Sequence, residues 1–355
     1  MALTWQILAV ALVFGVAVFV HEGGHFVGAR LCGMAVYEFS IGFGRPLLFW
    51  FKRGDTQYSF RLWPFFSYVR IAGMEPGDDH PQGFDKKSRL AQAFVLVLGC
   101  VNNLLLGVAV FVFIGMLVGR FVGTSNSVEK VMPNSVAAKH GLLVGDRLAG
   151  FDGKTGVPLE EIRAAIESHV DQPITLEIER DSRHLSIRIT PERKMVPAMR
   201  PDGSVYYKPI GLIGIVFRAR TQRMGIGESV VAGFAQGYEI IKISIVFLPA
   251  TIMGKMPVMG PVGVVHQLYS DVQISWSGFL FTAAALTIGL GFLNLMPIPP
   301  LDGSRLLITG LEAIRRKPFD KRKETIVHLV GFALLLGLVV VLTYKDILRI
   351  IKFGG

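Results

Sequence analysis

Residues 5–31 read WQILAVALVFGVAVFVHEGGHFVGARL. From Ile7 to Val20 no residue is charged, and then His21, Glu22 and His25 follow inside the same run. An apolar run of roughly 18 or more residues reads as a membrane span, and this one is long enough to cross with some tilt. Ionisable groups within a span are costly, so they mark a functional site by default. His21-Glu22-Gly23-Gly24-His25 is an HExxH pattern, and residues i and i+4 share one face of a helix, so both imidazoles can reach one cation. Zn2+ favours such ligands and, at a catalytic centre, keeps a fourth position open for water. Glu22, on the adjacent turn, is placed to take a proton from that water and later hand it to a leaving amine. Gly23 and Gly24 are poor helix formers, so small residues are wanted there for another reason, room for a bound peptide being one. The competing reading is a histidine pair satisfied by polar neighbours in a bundle; the cost of burying such groups in lipid weighs against it.

Composition extends this reading. Hydrophobic residues make up 51% of the chain and charged ones 18%, against about 25% charged in soluble proteins. The net charge of +10 would suggest nucleic acid in a soluble chain, but here Lys and Arg gather between the apolar runs, where they set topology. No nucleic-acid partner is expected. Cys32 and Cys100 both lie in or beside apolar runs, which gives neither a disulfide framework nor a CxxC knuckle. The first run has no basic leader and no small-residue cleavage site, and reads as a retained span.

Further spans are expected at 90–118, at 279–295 (beginning near 274) and at 326–343. Between the first two, 32–90 is basic, and Thr56–Ile71 alternates loosely with Tyr58, Phe60, Trp63, Phe65, Phe66 and Tyr68, which predicts paired strands with a membrane-facing aromatic side. Residues 124–192 have water-soluble character, with strands at 174–179 and 185–190 and a helix at 159–168. Residues 193–225 read as linker and 226–273 as a moderately apolar, interrupted stretch. The expected fold is a polytopic α-helical membrane protein of about four transmembrane helices, with a membrane-reentrant β-hairpin region and an inserted extracytoplasmic α+β domain. Its divisions are 1–120, 121–192, 193–273 and 274–355. Both basic loops, 32–90 and 303–325, belong on the cytoplasmic side. The stretch 230–253 then has to be interfacial or reentrant rather than a crossing.

A third ligand is needed, and Asp302 in Asn294-Leu295-Met296-Pro297-Ile298-Pro299-Pro300-Leu301-Asp302-Gly303 is the candidate. The prolines end a helix and leave extended backbone, tolerated at membrane depth only when buried in protein or lining a wet cavity. Asp-Gly is also a common turn pair, but beside HExxH the ligand reading prevails. Asn102 and Asn103 interrupt the second span; they either hydrogen-bond between helices or serve an oxyanion or a substrate backbone.

These pieces together resemble the site-2 protease family of intramembrane metalloproteases, and are most similar to the bacterial regulator of sigma-E protease branch. The resemblance runs through HEGGH at 21–25, Phe39 to Pro46, Gly99 to Asn103, Gly260-Pro261-Val262-Gly263, and Asn294 to Gly303, in order along nearly the whole chain. It implies that His21, His25 and Asp302 bind zinc and that Glu22 is the catalytic base. Gly99-Cys100-Val101-Asn102-Asn103 matches a glycine-proline-x-x-asparagine element, which puts Asn103 on the functional asparagine and Cys100 on the proline; Asn294 also falls on a motif position. The segment with Pro133 to Leu142, Val144 to Leu148 and Phe151 to Lys154 is similar to a PDZ domain, in one copy, and a peptide ligand or a gating role follows from that likeness. Two departures stand out. Gly23 replaces an aromatic residue, and Pro64-Phe65-Phe66-Ser67-Tyr68-Val69 replaces a glycine-rich hairpin.

The resemblance implies a zinc metalloendopeptidase of the bacterial inner membrane, in contact with the lipid bilayer. It would cleave within or near transmembrane segments, of an anti-sigma factor or of remnant signal peptides, with the site toward the cytoplasm and the PDZ-like domain outside. One rival is a non-enzymatic receptor or scaffold, which the intact HExxH and Asp302 oppose. The other is a zinc transporter, which usually shows a repeat, and none is visible.

Overall fold

The computed structural model describes residues 2–63, 67–200, 205–253 and 258–353. The chain divides into two compact units, one made of 1–114, 227–246 and 259–347, the other of 115–226, 247–258 and 348–355.

The first unit is built on helices. α1 (Ala2–Leu31) and α2 (Arg89–Leu117) run antiparallel, since Gly24 meets Leu98 and Gly28 meets Val95. A Cβ on Gly24 would stand 2.5 Å from the Leu98 carbonyl oxygen, so the two backbones touch there, and small residues allow such an approach where lipid offers no hydrophobic drive. Helix packing therefore accounts for Gly24, while a Cβ on Gly23 would meet nothing within 4 Å.

Between these helices lies a four-stranded sheet: β1 (Val36–Ile41), β2 (Phe43–Arg53), β3 (Thr56–Trp63) and β4 (Tyr68–Ile71), in the order β2-β3-β1-β4. β1 pairs parallel with β3 (Glu38 opposite Gln57) and antiparallel with β4 (Ser40 opposite Tyr68). The expected strands at 56–71 exist, but β1 separates them; the hairpin is β2–β3, turning at Gly54 and Asp55. It exposes Leu48, Phe49, Trp50 and Phe60, an apolar face suited to lipid. The Glu38 carboxylate ties three strands, accepting from Ser59 Oγ at 2.5 Å, Arg61 Nη2 at 2.8 Å and Tyr68 Oη at 2.9 Å. Of the departing loop, Pro64, Phe65 and Phe66 lie outside the described residues.

The second unit opens with β5 (Arg120–Val131), followed by α3 (Val136–Lys139), β6 (Arg147–Phe151), β7 (Lys154–Thr155), α4 (Leu159–Ser168), β8 (Ile174–Arg180), β9 (Arg183–Ile189), β10 (Glu192–Met199), β11 (Val205–Leu212) and β12 (Ile215–Gln222). Its main sheet runs β12-β5-β6-β8-β9, with β7 beside β6, and β10 pairs with β11. Ile174, Leu176 and Ile178 point inward at every second position of β8 and meet Ile162 and Ile166 of α4, one helical turn apart. The stretch 193–225, read as linker from its Pro, Gly and Arg content, is instead mostly strand, and β12 pairs with β5 along most of its length.

α5 (Ile226–Ile252), α6 (Pro261–Ile274), α7 (Trp276–Asn294), α8 (Asp302–Arg315) and α9 (Lys321–Phe353) complete the chain. In the first unit, the middle of α5 packs on α2 and α7, with Ile240 and Ile241 against Phe111, Ala284 and Ile288. Leu268 of α6 is enclosed by Ala9, Val10 and Phe279. Among the described residues five helices (α1, α2, α5, α7 and α9) are long and apolar enough to cross a membrane, one more than expected, α5 being the addition.

Candidate metal centre

Two helices and a turn bring the predicted ligands together. α1 carries His21 and His25 one turn apart on the face toward α2, and both side chains are buried. α7 ends at Asn294, the proline-rich turn follows, and Asp302 opens α8. A carboxylate in the first turn of a helix is stabilised by the free N–H groups there. Arg89 Nη1 to Glu312 Oε2 at 2.6 Å and Lys321 Nζ to Asp85 Oδ2 at 2.9 Å hold α8 and the start of α9 to the segment before α2.

Three donor atoms form a nearly equilateral triangle. His21 Nε2 and His25 Nε2 are 3.2 Å apart, and Asp302 Oδ2 stands 3.0 Å from the first and 3.1 Å from the second. Tetrahedral ligands at zinc distances are separated by about 3.3 Å. His25 Nδ1 donates to the Val95 carbonyl at 2.9 Å. A neutral imidazole that donates through Nδ1 leaves its lone pair on Nε2, the tautomer that binds metal, and such outer hydrogen bonds orient metal-binding rings. Two imidazole nitrogens and a carboxylate oxygen converge on one point, an arrangement that a shared cation holds together. The donor set therefore fits Zn2+.

The other predicted residues stand in different relations to this triangle. Glu22 lies within electrostatic reach of His21, His25 and Asp302, with Val69 of β4 nearby. Asn294 Nδ2 is 3.3 Å from His21 Nε2. Asn102 donates to the Val20 carbonyl at 3.3 Å and so ties α2 to α1. Asn103 is completely buried, and neither its amide nitrogen nor its amide oxygen has a hydrogen-bond partner.

Sequence reading missed two contributors. One is the Val95 carbonyl, a backbone group that no side-chain motif announces. The other is Gly99, where a Cβ would lie 2.4 Å from His25 Nε2 and 2.5 Å from Cε1, so only glycine leaves room for the ring. The resemblance did include Gly99, but not the reason for it.

A model of the peptidase family M50 matches residues 9–338. The chain belongs to peptidase family M50. Similar proteins include the zinc metalloprotease RasP of Geobacillus kaustophilus, 29% identical over 96% of this chain and 97% of its own. A Clostridium perfringens protein bearing a zinc metalloprotease name is 30% identical over 96% of this chain and 98% of its own. The metalloprotease MmpA of Caulobacter vibrioides is 28% identical over 99% and 98%. Membership in M50 accounts for the long apolar helices around the HExxH helix, and the matched region contains every candidate site residue.

Proposed function

We propose that this protein hydrolyses peptide bonds within or near the transmembrane segments of other membrane proteins, with His21, His25 and Asp302 holding Zn2+ and Glu22 acting as general base. The protein is an intramembrane zinc metalloprotease, as its family and the names of its relatives give. The observation that carries the residue assignment is the triangle of two imidazole nitrogens and one carboxylate oxygen, all within 3.2 Å of one another.

When bound, zinc polarises the scissile carbonyl and acidifies the attacking water. The rest falls to the chain. Glu22, next in sequence to one ligand, accepts the water proton and returns it to the leaving amine. The orphaned Asn103 amide is the group to clamp a substrate backbone or to donate to the oxyanion. A helix shields its own carbonyls, so the substrate must be unwound first. The outer edge of β4 suits that state: among the described residues no strand pairs with it, and Val69 on this strand lies near Glu22. An unwound segment added there as a further strand would present its backbone beside the base.

Four net crossings are favoured over five. Gly233 and Gly237 of α5 meet Val112 and Val108 in turn, so α5 enters beside the C-terminal end of α2. By Leu268, packed on Ala9 and Val10 at the N-terminal end of α1, the chain is back at that same end. The stretch between makes no net crossing. With the basic stretches at 32–90 and 303–325 toward the cytoplasm, the triangle sits toward that face. Residues 121–192 then lie outside, where the PDZ-like likeness suggests a peptide-binding or gating module.

The assignment is tested by zinc content. Purified in detergent, Asp302→Ala and His21→Ala should each lose bound zinc and cleavage together. Full zinc and full activity in either variant would remove that residue from the ligand set.

A further inference from the structure

The thiol of Cys100 has no part in the mechanism above, yet it stands at the ligand triangle. Cys100 is fully buried on α2, one residue beyond the glycine that accommodates the His25 ring. Its Sγ is 3.9 Å from Asp302 Oδ2, and the donor atoms of His21, Cys100 and Asp302 all lie within 4.8 Å of one another. The other sulfur contact, 3.9 Å to the Leu96 carbonyl, is a weak one within its own helix. A buried cysteine ordinarily behaves as a small apolar group. This sulfur instead approaches Oδ2, the same oxygen that faces both imidazoles.

We propose that Cys100 is a fourth ligand of the resting metal centre. The proposal rests on His21, His25 and Asp302 being the other three. With zinc to sulfur at about 2.3 Å and zinc to oxygen at about 2.0 Å, a tetrahedral sulfur–oxygen edge is about 3.5 Å. The present separation of 3.9 Å exceeds that by a few tenths of an ångström, and the His21, Cys100 and Asp302 donors lie within 4.8 Å of one another, so the cysteine side chain has to turn toward the histidines for its sulfur to close in. Coordination breaks the S–H bond, forms a sulfur–zinc bond and releases the proton to solvent. A centre with four protein ligands is closed, in the manner of structural zinc sites, and it has no position for water. The sulfur must therefore leave before hydrolysis, taking up a proton as it does so. Cys100 thus keeps the centre closed until a substrate segment arrives, which limits stray hydrolysis by a base and metal held permanently in a membrane.

X-ray absorption at the zinc edge tests this on the full-length protein in detergent, loaded with one equivalent of Zn2+. The expected spectrum has one sulfur scatterer at about 2.3 Å besides the nitrogen and oxygen shell. That sulfur disappears in Cys100→Ala, which still binds one zinc per chain, and persists in Cys32→Ala. A wild-type spectrum with nitrogen and oxygen alone would overturn the thiol ligand while leaving the other three in place. A sulfur shell that survives in Cys100→Ala would overturn it as well. Zinc retained in full by both His21→Ala and Asp302→Ala would instead overturn the underlying ligand set. Because the wild-type spectrum is itself decisive, poor folding of Cys100→Ala would not shelter the proposal.

Discussion

His25 is held from two sides by groups that a ligand motif does not contain. Val95 fixes its tautomer through a backbone carbonyl, and the bare Cα of Gly99 gives its ring room. Gly99→Ala would drive a methyl group into the imidazole. The loss of zinc affinity and cleavage should reach the range of about 10- to 100-fold seen when the outer partners of metal ligands are removed. Gly23→Ala, in the same motif region but with open space around it, should leave zinc affinity within about twofold, since surface substitutions away from packed features cost little. Zinc titration of the two variants checks the contrast; equal effects would contradict it. The residues of the triangle were legible in the sequence as candidates, because HExxH and Asp302 are side chains whose chemistry is costly in lipid. Val95 and Gly99 were not, because one acts through its backbone and the other through the absence of a side chain.

Helices were the readable elements, since their apolar runs have the length a bilayer demands; α2 and the soluble helix α4 match their expected bounds to within a residue. Sheet order was much less readable. β1 inserts between β3 and β4, and β12 returns to pair with β5, and no local pattern encodes pairing across such distances. At this scale Asp346 joins two elements. It is buried in α9, and its Oδ2 accepts from the Gly263 N–H at 2.7 Å, at the start of α6. Removing a capping acceptor costs about 0.5–2 kcal/mol, so Asp346→Ala should lower the melting temperature in detergent by about 1–8 °C, at about 2–4 °C per kcal/mol for a domain of about 150–250 residues. An unchanged melting curve would mean that the cap contributes nothing. In the second unit, Asp146 is buried and receives Arg180 through Nε and Nη2, each at 2.7 Å, as well as the Leu143 N–H at 2.8 Å. Burial opposes ionisation, but the Arg180 hydrogen bonds and the Leu143 N–H outweigh it and hold the carboxyl below the usual aspartate range. A depressed folded value means that the stabilisation is present above the unfolded value, about 3.9, and is lost as pH falls through the folded one. Limited proteolysis of the second unit should therefore accelerate in acid for the wild type. Asp146→Asn should already be more susceptible at pH 7 and show a flatter acid dependence; identical profiles would contradict this account.

At the scale of the whole molecule, the first unit brings His21, His25 and Asp302 together within a helix bundle, with Glu22 next to His21 in the chain and the edge strand β4 nearby. The apolar runs made the membrane class legible. The stretch 230–253 reads as interfacial or reentrant in the sequence, while the helix α5 that contains it has the length and composition of a span. If the account of this molecule is right, binding and chemistry can be separated at a single residue. The most direct measurement takes Glu22→Gln, purified in detergent beside the wild type, and determines zinc content together with cleavage of a model transmembrane substrate by mass spectrometry. The account predicts an unchanged zinc content and a fall in cleavage of at least about 100-fold, the lower end of general acid–base contributions. Wild-type cleavage by the zinc-loaded variant would contradict it.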